Sequence, residues 1–195
     1  MLPAQRGMIL NYMRFCDDGV DIQQCTLDWT DPLEREPFEA AWRTIVRRHS
    51  ILRTAFRRSD GDRLIQVVGQ DAHASIDIRW LDLPPLPDGG HDLPFESFLL
   101  DDRRERFDLA RQPPVRLTIL RRVNPGETDA PAYRAVLTYH HALLDGRSLP
   151  LLIDEVSAAY AASRDGRDEP DPPRPPFLDF VRWWYMTDDP SASER

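Results

Sequence analysis

Cysteine is nearly absent. Cys16 and Cys25 are the only two in 195 residues. Two cysteines separated by eight residues make neither a disulfide framework nor a zinc knuckle, so two reduced, buried or half-buried thiols are expected. No apolar run approaches the ~20 residues of a membrane-spanning helix. Met1 is followed by no basic region with an apolar stretch behind it, so no secretory signal is read and a cytoplasmic location is expected. Basic residues are outnumbered, 25 against 33 acids, for a net charge of −8. That balance argues against non-specific nucleic-acid binding. The arginine pairs at 47–48, 57–58, 103–104 and 121–122 are interleaved with acids and read as solvated faces; a basic dock for an acidic carrier protein is the weaker alternative. No internal repeat at a fixed period is found. No G-x-S-x-G elbow is present, and no serine or cysteine stands out as a nucleophile.

What is plentiful is proline. The 18 prolines cluster at 84–87, 113–114 and 170–176, where they punctuate the chain as loops between elements. With 41% hydrophobic and 30% charged residues, the composition is that of a globular chain long enough for one domain with a real core or two small ones.

Helical periodicity runs from Leu2 to Phe15, from Pro37 to about His49, from Phe95 to Phe107, from Leu149 to about Gly166, and from Phe177 to Met186. The second of these carries Phe38, Trp42, Ile45, Val46 and His49 as its apolar stripe. Strands are expected at Cys25–Trp29, Leu52–Arg58, Arg63–Val68, Ser75–Leu81, Val115–Val123 and Tyr133–His140. Asp60-Gly61 and Asn124-Pro125-Gly126 are turn signals between strand pairs. Mixed elements with several antiparallel pairs predict an α+β fold, with helices packed on a sheet.

The stretch that organises the chain is Thr138-Tyr139-His140-His141-Ala142-Leu143-Leu144-Asp145-Gly146-Arg147-Ser148. It lies where a strand ends and a helix begins, a junction from which rigid elements can present side chains to a cleft. Along the strand Tyr133, Ala135, Leu137 and Tyr139 share one face, and Arg134, Val136, Thr138 and His140 the other. If the extended geometry persists, His140 and His141 point opposite ways, one as an internal hydrogen-bonder and the other toward a cleft. Imidazole is the side chain best suited to move a proton near neutral pH. Asp145 can orient that imidazole or pair with an arginine. Gly146 permits a close backbone approach or a positive φ. Without a nucleophile nearby, such a site favours proton transfer between two bound substrates over a covalent intermediate. Blander readings stand beside this one. The histidines can be an ordinary strand-end pair, and Asp145-Gly146 an ordinary turn. A metal pair is disfavoured, because strand neighbours diverge and no third ligand has suitable spacing.

The run from His140 to Gly146 matches the HHxxxDG motif of condensation domains of nonribosomal peptide synthetases. Arg48-His49-Ser50-Ile51-Leu52-Arg53-Thr54-Ala55-Phe56 resembles that family's second motif, RHExLRTxF. Leu2-Pro3-Ala4-Gln5-Arg6-Gly7-Met8 resembles its first, and Phe107-Asp108-Leu109 with Pro113-Pro114-Val115-Arg116 resembles its FDL…P…R segment. Four motifs in order cover nearly the whole chain. The resemblance implies a chloramphenicol acetyltransferase-like fold. It also implies an activity that joins an acyl or peptidyl thioester, carried on the phosphopantetheine of a carrier protein, to an amine on a second carrier; ester-forming relatives use a hydroxyl. By the same resemblance, His141 is the residue that assists proton transfer, His140 is structural support, and Asp145 forms a salt bridge with Arg53. The backbone N–H near Gly146 lies close to the developing oxyanion. No metal and no cofactor held by this chain are expected. The expected partners are acyl or peptidyl carrier proteins and the carboxy-terminal lobe or a partner subunit.

Two departures from the family pattern stand out. Ser50 replaces the usual glutamate of the second motif. A full condensation domain has two lobes and roughly 400–450 residues, whereas this chain matches the amino-terminal lobe. Residues 1–166 are read as that lobe, and 167–195 as a proline-rich linker and helix leading toward the other. Two functions follow as alternatives: the motif-bearing lobe of an acyltransferase, or a non-catalytic module that docks carrier proteins or a partner. A small stand-alone acetyltransferase with sites between subunits is a third.

Overall fold

The computed structural model describes residues 1–15, 19–70, 76–85, 92–123, 132–167 and 174–187. In chain order its elements are α1 (Pro3–Arg14), β1 (Ile22–Trp29), α2 (Arg35–Arg48), a 3-10 turn (Ser50–Arg53), β2 (Thr54–Arg58) and β3 (Leu64–Val68). They continue with β4 (Asp77–Leu83), α3 (Leu93–Arg104), β5 (Val115–Arg122), β6 (Tyr133–His140), α4 (Ser148–Arg164) and α5 (Phe177–Thr187). Cys16, the turn at 124–126, most of the loop at 84–90 and much of the linker at 167–176 lie outside the described residues.

At the centre are β5 and β6, strands with almost no solvent-facing side chain. They pair antiparallel, with Leu117 opposite Leu137. β1 flanks β6 antiparallel, and β4 flanks β5 parallel, giving the order β1-β6-β5-β4; β2 and β3 form a separate hairpin. The alternation along β6 divides two packing layers. Ala135, Leu137 and Tyr139, with Leu117 and Ile119, join the main core built with Ile9 and Tyr12 of α1 and the inner faces of α2 and α4. Val136 and Leu120 face the other way, onto Leu83 and onto Phe95, Phe98 and Leu99 in α3. Helices on both sides explain why these strands carry little polar alternation.

An aromatic cluster ties the layers together. Phe38 meets Trp29, Trp42, Trp80 and Tyr160 edge-on, with centroids 5.8–6.5 Å apart. Those rings come from β1, α2, β4 and α4, and edge-to-face geometry suits their quadrupoles. On the α3 face the chain buries an ion pair instead. Arg116 donates to Asp102 Oδ1 at 2.7 Å, and both side chains are almost wholly buried. Gln24 Nε2 donates to Asp102 Oδ2 at 2.8 Å, and the Thr138 hydroxyl donates to the same oxygen. Arg116 also stacks over Phe107 at 4.6 Å. All 25 basic residues are arginines, whose planar fork suits such fully bonded burial.

Several elements differ from expectation for identifiable reasons. β1 begins at Ile22, three residues before Cys25. The polar Gln23-Gln24 hid the start, and Gln24 is inside because Asp102 and the Leu99 carbonyl take its amide. Residues 50–53 form a 3-10 turn rather than strand, with the Thr54 hydroxyl bonded to Ser50 O at 3.0 Å. His49 leaves the apolar stripe and pairs with Glu155. In the β2–β3 turn the positive φ falls on Asp62, not Gly61. α3 stops at Arg104, and Phe107 enters the core separately, its N–H donating to the Tyr12 hydroxyl at 2.8 Å. α4 ends in a Schellman motif: Gly166 takes φ +64°, and Gly166 N–H and Arg167 N–H return to the carbonyls of Ser163 and Ala162.

Candidate active site

The loop after β6 is pinned by its own apolar residues. Ala142, Leu143 and Leu144 are all buried, so the three residues between the histidines and Asp145 act as pegs. Backbone bonds fix the rest. His140 N–H donates to Pro114 O at 2.9 Å, His141 N–H to Asp21 O at 2.7 Å, and Leu143 N–H to His140 O at 2.9 Å. The end of β6 is thereby held between the residues leading into β1 and those leading into β5.

β6 ends at His140 and His141 already belongs to the turn, so the extended geometry does not persist to it; the two histidines differ in surroundings. His140 is fully buried, with its ring edge-on to Tyr12 at 5.0 Å. Its Nδ1 accepts the Ala142 N–H at 3.1 Å, so the neutral ring carries its proton on Nε2. Burial, reinforced by the neighbouring His141 and opposed by Asp21, pushes its pKa down to about 4. It is an internal hydrogen-bonder.

His141 is half-buried. Its Nδ1 lies 2.9 Å from the Leu144 carbonyl. A carbonyl oxygen only accepts, so Nδ1 carries the proton, and in the neutral ring Nε2 keeps its lone pair. An imidazole with one nitrogen anchored on a backbone carbonyl and the other available is arranged to take a proton.

Asp145 does not form the expected salt bridge with Arg53 among the described residues. Its Oδ1 accepts the backbone N–H groups of Ser148 at 2.7 Å and Arg147 at 3.1 Å. These are free donors at the start of α4, which an exposed carboxylate satisfies with the helix dipole in its favour. Hydrogen bonding to Ser148 holds the Asp145 carboxyl below its ordinary value. Arg53 instead donates to the carbonyls of Val46 at 2.8 Å, Gly69 at 3.2 Å and Arg47. It closes the end of α2 onto the strand that follows. Gly146 takes no positive φ, and a Cβ there would meet nothing within 4 Å. Neither expected backbone reason for glycine operates; what the position leaves is open space beside the loop.

The second motif proves to be a brace for α4. Arg48 and His49 both reach Glu155 Oε2 at 2.9 Å, and Arg174 reaches Oε1 at 3.3 Å. Ser50, in the position usually held by glutamate, accepts the Phe177 N–H at 3.2 Å and so ties down the start of α5. Glu155 escaped the sequence reading because a glutamate on an amphipathic helix carries no mark of its partners. Gln5, a residue of the first motif, donates from Nε2 to Ala142 O at 2.8 Å.

Among the described residues no group of three or more His, Cys, Asp or Glu is placed to hold a metal, and no helix is long and apolar enough to cross a membrane. An open groove of about 430 Å³ lies along β4, lined by Trp80, Arg121, Tyr133 and neighbours, and it contains none of the motif residues.

Residues 1–192 match the family described as Condensation domain. One of the subunits of the linear gramicidin synthase of Brevibacillus parabrevis is 33% identical over 195 residues, the whole of this chain and 2% of that protein. Bacitracin synthase 3 of Bacillus licheniformis is 29% identical over 181 residues, 92% of this chain and 3% of that protein. The chain thus spans only a small part of the curated relatives it matches. The starter condensation domain of a rhizomide synthetase superposes with a TM-score of 0.78 at 22% identity, covering 95% of this chain and 44% of that one. The epimerization domain from the third module of tyrocidine synthetase B superposes at 0.75 and 20% identity, covering 93% and 39%. Coverage below half of each solved chain is consistent with a single lobe, and the α+β arrangement is the chloramphenicol acetyltransferase-like fold expected. With a family match over nearly every residue, the chain belongs to the condensation-domain family of nonribosomal peptide synthetases.

Proposed function

We propose that this chain is the histidine-bearing lobe of an acyltransferase, which moves an acyl or peptidyl group from a carrier-bound thioester to an amine acceptor. The observation that carries the reading is the Nδ1 bond from His141 to the Leu144 carbonyl, which leaves Nε2 as the acceptor. As the amine nitrogen attacks the thioester carbonyl, the C–N bond forms and His141 takes the proton the nitrogen sheds. The C–S bond then breaks, and the departing phosphopantetheine thiolate recovers a proton. His140 stays neutral inside and supports the turn, Asp145 fixes the start of α4, and the space at Gly146 admits the reacting carbonyl. Carrier proteins are the partners this chemistry requires, and a cytoplasmic location fits a substrate made and held there.

A second reading has its own support. α5 exposes Phe180, Trp183, Tyr185 and Met186, the last 86% accessible. A non-catalytic module that docks a partner through this helix would show such a face.

Mass spectrometry of intact carriers separates the two. An acyl-loaded donor and an amine-loaded acceptor are incubated with wild type or His141→Ala, with and without the rest of a condensation domain supplied as a second polypeptide. Product from wild type, lowered about 100-fold or more by the substitution, is the expected result. Equal product from both proteins would remove His141 from the mechanism. Carrier binding without transfer under any condition would favour the docking module.

A further inference from the structure

We infer that Gln5 is a positioning residue for His141, holding the turn that follows it through the carbonyl of Ala142; this rests on the acyltransferase reading above. Gln5 stands on the first turn of α1 and is 7% exposed. Its amide orientation is determined by three bonds. Oε1 accepts the Leu2 N–H at 3.0 Å and the Gln66 Nε2 at 3.4 Å, which leaves Nε2 to donate to Ala142 O at 2.8 Å.

The effect on His141 follows from the neighbouring peptides. Ala142 is gripped at both ends: its N–H goes to His140 Nδ1 and its carbonyl to Gln5. His141 N–H is fixed on Asp21, and its ring on the Leu144 carbonyl two residues beyond Ala142. The Nδ1 bond exists only while the chain between 141 and 144 keeps its turn, and among the described residues Gln5 is the side chain from another element that hydrogen-bonds that turn's backbone. A base must sit within hydrogen-bond reach of the proton it takes, and a displacement of about 1 Å can cost on the order of 100-fold in rate. The amide therefore positions His141 without touching substrate.

The decisive variant is Gln5→Glu. It keeps the shape and the acceptor for Leu2 N–H, but when ionised it has no proton for Ala142 O. Nitrogen NMR of His141 reads the tautomer directly. Wild type should hold the Nδ1–H form, and Gln5→Glu should show a mixture of Nδ1–H and Nε2–H. In the transfer assay kcat should fall about 10- to 100-fold, with KM for the loaded carriers within about 3-fold. The defect should shrink at lower pH, because a protonated Glu regains a donor. A purely structural role would lower the melting temperature yet leave the tautomer unchanged and the rate deficit independent of pH. An unchanged tautomer in folded Gln5→Glu overturns the inference. Gln5→Met, similar in shape and neutral, replaces it if the carboxylate prevents folding; if neither folds, Gln5 is a folding element and the inference fails. Should His141→Ala retain full turnover, the acyltransferase role of His141 fails instead, and the NMR result still judges the contact.

Discussion

Acid should destabilise this protein through His140 before its carboxylates matter. The imidazole is wholly enclosed, and Nδ1 is already committed as an acceptor for Ala142 N–H. Protonation inside would bury a charge and break that bond. The folded value is therefore lowered from 6.5 to about 4, with burial the main cause. Because the folded state resists the proton and the unfolded chain accepts it, stability is full well above pH 6.5, falls as pH drops below it, and levels off below about pH 4. Between about pH 7 and about pH 5 the linkage amounts to about 2 kcal/mol, rising to about 3 kcal/mol below pH 4. Carboxylates held low in the fold, such as Asp145 and Glu105, lose their contributions nearer pH 4, so the upper window isolates the histidine. For a chain of this size the change corresponds to a fall of about 4–8 °C in melting temperature. The assay is urea denaturation at several pH values for wild type and His140→Asn, whose side-chain oxygen can accept the Ala142 N–H but does not titrate. The variant should be less stable at neutral pH and lose about 2 kcal/mol less than wild type between pH 7 and pH 5. Identical losses in the two proteins would refute the buried neutral imidazole.

Three further outcomes follow from the same geometry. Asp102→Ala strands the buried Arg116 guanidinium and should cost about 3–5 kcal/mol in denaturant unfolding, the largest single loss expected on the α3 face; a cost under about 1 kcal/mol would mean water reaches Arg116. Asp145→Ala removes acceptors from the start of α4 and should cost about 1 kcal/mol. As pH falls below about 4 the difference between wild type and Asp145→Ala should begin to shrink, because a carboxylate with a lowered pKa contributes fully above its ordinary value and loses that contribution as pH falls through the folded one. A loss as large as that of a buried ion pair would restore the Arg53 bridge. Gly146→Ala should change stability by less than about 0.5 kcal/mol, since the added methyl meets open space, yet lower acyl transfer; full activity in that variant would show that the space is not used.

Much of this protein was determined by the sequence alone. Val115–Val123 and Tyr133–His140 read as an antiparallel strand pair from their pattern and the turn signal between them, whereas their place at the centre of the sheet is a finding of the structure. The division of β6 into two faces followed from the period of two. The four motifs identified the family before any contact was known. Local pattern could not supply the partners of polar side chains. Asp145 was expected to meet an arginine across the fold and bonds instead to N–H groups three residues away or nearer, because α4 starts there and needs them. Arg48, His49 and Ser50 belonged to a recognised motif, but their partners Glu155 in α4 and Phe177 at the start of α5 lie more than 100 residues on, and only the tertiary fold brings them together. Gln24, Asp102, Arg116 and Thr138 look like surface residues one at a time; folding α3 over the sheet joins them as one bonded group, with Asp102, Arg116 and Thr138 buried and Gln24 half-buried. Hydrophobic periodicity is written along the chain because it reflects a residue's own element. Hydrogen-bond pairing across a fold depends on distances that exist only once the elements have met.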